Sequence, residues 1–198
     1  IYDEFLLFAL GISASRSRVK RHVAPSCDKG DARPLEALLP YRLTGAQARA
    51  IEEIRRDMAK TTPMSRMVVG DVGCGKTALA FGAMYLAAKQ GYQSVFMAPT
   101  EILARQHLES AQKMLEPLGI RCGLLLGGMK TRERKEALEN IASGEWQAVI
   151  GTHALISKDV EYHNLGLVVA DEQHRFGVGQ RSALSDKGEH PHLLVMSA

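Results

Sequence analysis

The run Gly70-Asp71-Val72-Gly73-Cys74-Gly75-Lys76-Thr77 has the residue types and spacing of a polyphosphate cradle. It matches GxxxxGK[ST] and lies between apolar Met67-Val68-Val69 and a helix-forming run from Ala78 to Gln90, so a short strand leads into a tight turn and a helix. Positive φ is expected at Gly70, Gly73 and Gly75, which would curl the backbone N–H groups around an anion at the positive end of that helix. Lys76 would reach the β- and γ-phosphates of such a ligand, and the Thr77 hydroxyl would ligate Mg²⁺. A second chemical group follows the apolar run Leu165 to Ala170. There Asp171 would hold Mg²⁺, directly or through water, and Glu172 would orient and deprotonate an attacking water. The competing reading of each feature is a bland one: a βα turn that binds nothing, and an ordinary acidic strand end.

Weaker signals surround these two. Leu43-Thr44-Gly45-Ala46-Gln47 opens a helix to about Ala59, with Thr44 as N-cap and Ala46, Ala50, Ile51 and Ile54 on one face. The Gln47 amide could pair with adenine N6 and N7, with Tyr41 against the ring, although a surface Gln has no need of a ligand. Thr100, Gly127 with Gly128, and Thr152 follow successive apolar runs and would present N–H groups and hydroxyls to a nucleic-acid backbone. Lys130, Arg132, Arg134 and Lys135 either add charge there or form a solvated helix face. His107, His153 and His174 lack metal-ligand spacing. His174 reads instead as a polar link between nucleotide and domain.

The elements that must position these residues alternate in type. Short apolar runs at Ser94 to Ala98, Cys122 to Leu126, Ala148 to Ile150, Leu165 to Ala170 and Leu193 to Met196 join Met67 to Val69 as strands. Between them lie helices at Ile102 to Glu116, capped by Thr100 and ended at Pro117-Leu118-Gly119, and from Thr131, read as a cap, to Ser143-Gly144. This pattern gives an α/β fold, a parallel sheet with helices on both faces, in which ligands gather at the carboxyl ends of the strands. Residues 1–40 form a separate unit, with an apolar helix from Tyr2 to Leu10, a basic run from Arg16 to His22 and a Pro-rich connector to Pro40. The main lobe is read as 41–198.

Composition excludes little. The chain has 198 residues, 45% hydrophobic and 24% charged, with a net charge of +3, which is ordinary globular composition and too mild a charge to identify a nucleic-acid partner. Cys27, Cys74 and Cys122 are far apart and read as reduced thiols of a cytoplasmic protein. No apolar run approaches membrane-spanning length. Ile1 reads as the edge of a fragment.

Taken together, Leu43 to Gln47, the phosphate loop, Ala98-Pro99-Thr100-Glu101, Gly151-Thr152-His153, Asp171-Glu172-Gln173-His174 and Ser197-Ala198 resemble the ordered motifs of the first motor lobe of superfamily 2 helicases. Within that superfamily the phosphate loop, Gly151-Thr152-His153-Ala154-Leu155 and the run from Asp171 to Val178 are most similar to the RecG family of bacterial branched-DNA helicases. The resemblance implies a RecA-like lobe and ATP-driven translocation on branched double-stranded DNA, with Gln173, His174 and Ser197 as coupling residues. It also implies a second lobe, carrying an arginine finger, and a wedge domain outside these residues, so the fragment alone would bind ATP without useful turnover. A monomer is expected. A transcription-repair coupling factor is the nearest rival, typically with Glu where Gln173 stands. A GTPase is disfavoured because neither Asn140 nor Asn164 begins NKxD, and a non-catalytic module because Lys76, Thr77, Asp171 and Glu172 are all intact.

Overall fold

The structure is a computed structural model that describes Pro25, Cys27, residues 42–171 and residues 190–197. The expected N-terminal helix and basic run, Tyr41, Glu172, Gln173 and His174 lie outside the described residues. The elements run α1 (Gly45–Met58), β1 (Ser65–Val69), α2 (Lys76–Lys89), β2 (Gln93–Met97), α3 (Glu101–Leu115), β3 (Cys122–Leu125), α4 (Thr131–Ala142), β4 (Ala148–Gly151), β5 (Leu165–Asp171) and β6 (His192–Ser197). The strands form one six-stranded sheet in the order β1-β6-β5-β2-β4-β3, every pair parallel. All carboxyl ends therefore fall on one edge, and that edge collects the loops singled out by sequence.

Two apolar layers cover the sheet. On one face Phe96, Ile150, Val169, Leu194 and Met196 pack with α1, α2 and α3. On the other, Val95, Val149, Val168 and Ala170 pack with Ala137 and Ile141 of α4 and with Leu155 of a 3-10 turn at His153–Ile156. Strands covered on both sides cannot alternate apolar with polar, which is why β2 is buried at every position and β5 at all but its last. Helix α2 lies in the middle of its layer and is buried from Ala78 to Ala87, so it is apolar all round.

The helices begin and end where local chemistry directs. Thr44 and Gln47 form a reciprocal capping box at the start of α1, and Thr100 caps α3 by accepting the Leu103 N–H. Three details differ from the sequence expectations. Thr131 is the first helical residue of α4, with Lys130 in the cap position. Ala46 faces solvent, and the buried stripe of α1 is Ile51, Ile54 and Met58. The Pro117 break is a 3-10 turn over Glu116–Leu118. Arg66 of β1 fastens α1 to the sheet, reaching Asp57 at 2.6 Å and Glu53 at 2.6 Å. Hydrogen bonds from Lys60 and Arg66 hold the Asp57 carboxyl below the usual carboxylate range.

Two buried polar side chains set register at the end opposite the loops. Gln93 donates its amide to the carbonyls of Ile141 (2.9 Å) and Trp146 (2.8 Å), and its oxygen accepts the N–H groups of His163 (2.7 Å) and Asn164 (3.2 Å). His192 is fully buried; its Nδ1 accepts the Met64 N–H at 2.9 Å. The ring proton must then sit on Nε2, which donates to the Pro25 carbonyl at 2.6 Å. Cys27, also buried, donates its N–H to the Met58 carbonyl at 2.9 Å, so this connector segment rests on both α1 and the sheet.

Replacing Gln93 with Leu strands these partners in a dry site and is expected to cost about 2–3 kcal/mol. Thermal unfolding should show a melting temperature roughly 4–12 °C lower. Burial pushes the His192 pKa below 6.5, with the Pro25 carbonyl and Asp57 opposing that shift. The neutral ring is the folded form, so the unfolded chain takes up the proton first as pH falls. Stability from this site is complete above about pH 6.5 and declines as pH drops from there through the folded-state pKa. Urea midpoints measured between pH 7.5 and 5 should show that decline, and His192→Gln should remove this component.

Candidate nucleotide site

The loop between β1 and α2 bends as its glycines require. Gly73 and Gly75 have φ of 83° and 86°, in the left-handed region. Gly70 does not take positive φ, contrary to expectation. Its lack of a side chain serves space instead, since a Cβ there would lie 2.7 Å from Cys74 Sγ. Val72 at the loop tip is 91% exposed, so its side chain is directed away from the bend. Lys76 opens α2 and folds back into the bend, donating to the carbonyls of Gly70 and Asp71, the latter at 3.0 Å. Thr77 follows it, half-buried in the first turn of α2.

Two neighbours fix this loop from outside. Gln47 Nε2 donates to the Cys74 carbonyl at 2.8 Å while Gln47 Oε1 accepts the Thr44 N–H at 2.8 Å, so one amide joins the loop to the start of α1. Each end of that amide retains one further hydrogen-bonding position, which leaves capacity for a base edge. The Gly70 N–H donates to the Ser197 carbonyl at 3.2 Å, extending the β1–β6 ladder into the root of the loop.

Asp171 ends β5 and pairs in register with Met196 of β6. A single strand therefore separates it from the root of the phosphate loop. Strand side chains alternate faces, so Asp171 shares its side with Val169, which packs in the layer that contains α2. The carboxylate and the start of α2 thus occupy the same edge and the same face. His107 of α3, set aside in the sequence reading, meets this carboxylate: its Nε2 lies 3.1 Å from Asp171 Oδ2. Its ring centroid is 4.5 Å from that of Phe96. No spacing rule could have found that contact, because the partners come from different βα units.

Thr100, Gly127, Gly128 and Thr152 also gather at this edge, at the carboxyl ends of β2, β3 and β4. A Cβ on Gly127 would lie 3.7 Å from His153 Nε2, and one on Gly128 would lie 3.6 Å from Glu101 Oε1. The two glycines and Thr100 are exposed, whereas Thr152 is buried and its hydroxyl has no hydrogen-bond partner. Among the four basic residues at the cap and start of the neighbouring helix, Arg134 is committed to structure. It reaches Asp159 at 2.8 Å and the Leu126 carbonyl at 3.5 Å, and its hydrogen bond lowers the Asp159 pKa. Lys130 and Arg132 are exposed beside it.

A left-handed glycine bend before a helix start, a lysine folded into the bend and a carboxylate one strand away suit a nucleoside triphosphate with a divalent cation. The fold and this site define a phosphate-loop nucleotide-binding lobe of the helicase type. The chain belongs to the DEAD/DEAH box helicase family, whose model matches residues 44–198. It is 44% identical over 202 residues to the ATP-dependent DNA helicase RecG of Aquifex aeolicus, covering 100% of this chain and 26% of the relative. Against the RecG proteins of Escherichia coli K12 and Bacillus subtilis, identity is 46% and 44%, again over 100% of this chain, with 29% and 30% of each relative covered. A solved structure of RecG bound to a three-way DNA junction superposes with a TM-score of 0.85 at 39% identity, covering 100% of this chain and 27% of that one. The helicase MrfA, at 18% identity and a TM-score of 0.64, shares the fold. The resemblance to the RecG family is thus borne out, and the chain spans about three tenths or less of the length of these relatives.

Gln47 acts in two places, and two substitutions separate them. Gln47→Glu keeps an acceptor for the Thr44 N–H but cannot donate to Cys74, so thermal stability should hold while hydrogen exchange of the loop amides accelerates. Gln47→Ala should lose both, with about 1 kcal/mol of stability.

Proposed function

We propose that these residues form the ATP-binding lobe of a DNA helicase that remodels branched DNA in recombination and repair, in the cytoplasm of a bacterium. The observation that carries this reading is the common edge and face of the Lys76 bend and Asp171. Lys76 exchanges the carbonyls of Gly70 and Asp71 for β- and γ-phosphate oxygens of ATP, and the N–H groups from Gly70 to Thr77 hold the remaining phosphate charge. Thr77 and Asp171 hold Mg²⁺, partly through water. Bound there, the ion neutralises charge that develops on the phosphate oxygens. Glu172 orients and deprotonates the attacking water, and Gln47 reads adenine while Tyr41 lies against the ring.

The branched-DNA part of the proposal draws on the RecG relatives and on the solved RecG structure, which is described as bound to a three-way DNA junction. Thr100, Gly127, Gly128 and Thr152 are the proposed contacts to the DNA backbone. Gln173, His174 and Ser197 couple nucleotide to DNA, and Ser197 does so through the carbonyl that accepts the Gly70 N–H. A second lobe and a wedge domain complete the machine beyond the lobe assigned to 41–198, and the working unit is a monomer.

In the full-length chain, Lys76→Ala and Glu172→Gln are each expected to lower DNA-stimulated ATP hydrolysis by about 10²–10³-fold. Substrate competition should show ATP displaced by ADP far better than by GDP. Hydrolysis at the unmodified rate in either variant would remove the assignment.

A further inference from the structure

Asp171 has one carboxylate oxygen engaged by a residue that nothing in the nucleotide chemistry requires. His107 Nε2 stands 3.1 Å from Asp171 Oδ2, with the two side chains 13% and 19% exposed. A carboxylate can only accept, so the imidazole Nε2–H donates. The ring is held in place by Phe96, 4.5 Å away between centroids, and Phe96 in turn lies against Phe81 of α2 at 6.0 Å. Seven residues before His107 on the same helix, Thr100 caps α3 at the exposed edge, and Glu101 lies beside Gly128. Two turns of rigid helix, about 10 Å, therefore join the edge where DNA contacts are assigned to the carboxylate assigned to the metal.

We propose that His107 is a positioning residue for Asp171. By donating to Oδ2 it fixes the rotation of the carboxylate, so that Oδ1 is presented to the ion and its waters. Because the donor sits on α3, a shift of that helix on engaging DNA changes the aim of the carboxylate directly. The inference rests on the nucleotide-site reading above and adds to it a physical link from the DNA edge to the metal. Such outer partners of a metal-holding carboxylate commonly change metal affinity or activity by about 10–100-fold when removed.

The test uses the full-length chain with three substitutions. His107→Leu keeps apolar contact with Phe96 and removes the donor, whereas His107→Gln carries an amide N–H at the same reach. Asp171→Asn serves as the reference. Mn²⁺ binding in the presence of ADP is followed by electron paramagnetic resonance, and ATP hydrolysis is measured against Mg²⁺ concentration with and without forked DNA. For His107→Leu the expected result is Mn²⁺ binding weaker by about tenfold or more, a matching rise in the Mg²⁺ needed for half-maximal rate, and a smaller stimulation by DNA. His107→Gln should recover most of each. Wild-type Mn²⁺ affinity in His107→Leu, or equal defects in both His107 variants, would overturn the positioning role while leaving the nucleotide site standing. Full hydrolysis by Asp171→Asn would instead remove the nucleotide-site reading, and this inference with it.

Discussion

A chain that must wrap an anion in its own amides has to reverse direction within a few residues and still leave those amides pointing inward. Between Val69 and Lys76 that demand is met by two left-handed glycines, 73 and 75, and by a third, Gly70, whose missing Cβ makes room for Cys74. Everything nearby serves to keep this bend in one shape. Gln47 draws the Cys74 carbonyl toward α1, and Ser197 holds the Gly70 N–H. Arg66, through Asp57 and Glu53, keeps α1 close enough for Gln47 to reach. The capping box of α1 and the phosphate loop share one amide, so the helix start and the loop cannot shift independently.

The two ends of the sheet have divided their tasks. At the amino ends of the strands, Gln93 and His192 meet buried backbone groups in full and fix register. At the carboxyl ends the side chains are small, hydroxylic or charged, and several stay solvent-exposed. Polar groups buried with all partners present rigidify a fold, and those left open are available to ligands. The orphan hydroxyl of Thr152 lies at the second end, directly after β4.

Much of this was legible in the residues. The strand runs, the glycine bend and the two threonine caps at 44 and 100 are local signals, each written in a few consecutive positions, and the elements formed within a residue or two of the expected bounds. What escaped was whatever depends on contacts between distant segments. Gly70 matched a rule about φ but obeys one about space, because the crowding atom is a side chain placed by the turn itself. Thr131 looked like a cap, yet the chain enters α4 one residue earlier through extended Lys130. Gln93 fell just outside the expected strand from Ser94 and drew no reading, because its four partners lie at the end of α4, in the turn after it and in the segment before β5. Arg134 read as free charge, and Asp159 claims it. His107 met no metal-spacing rule, and what it meets is the carboxylate of Asp171.

The bond from Gly70 to Ser197 makes β6 more than a filler strand. It inserts between the strand that feeds the loop and the strand that ends in Asp171, so both halves of the pocket take their separation from its width. Sliding β6 along its axis by one residue pair would carry Ser197 away from Gly70 and Met196 away from Asp171 together. The strand works as a common gauge block, and any force drawn along it is felt on both jaws of the vice at once.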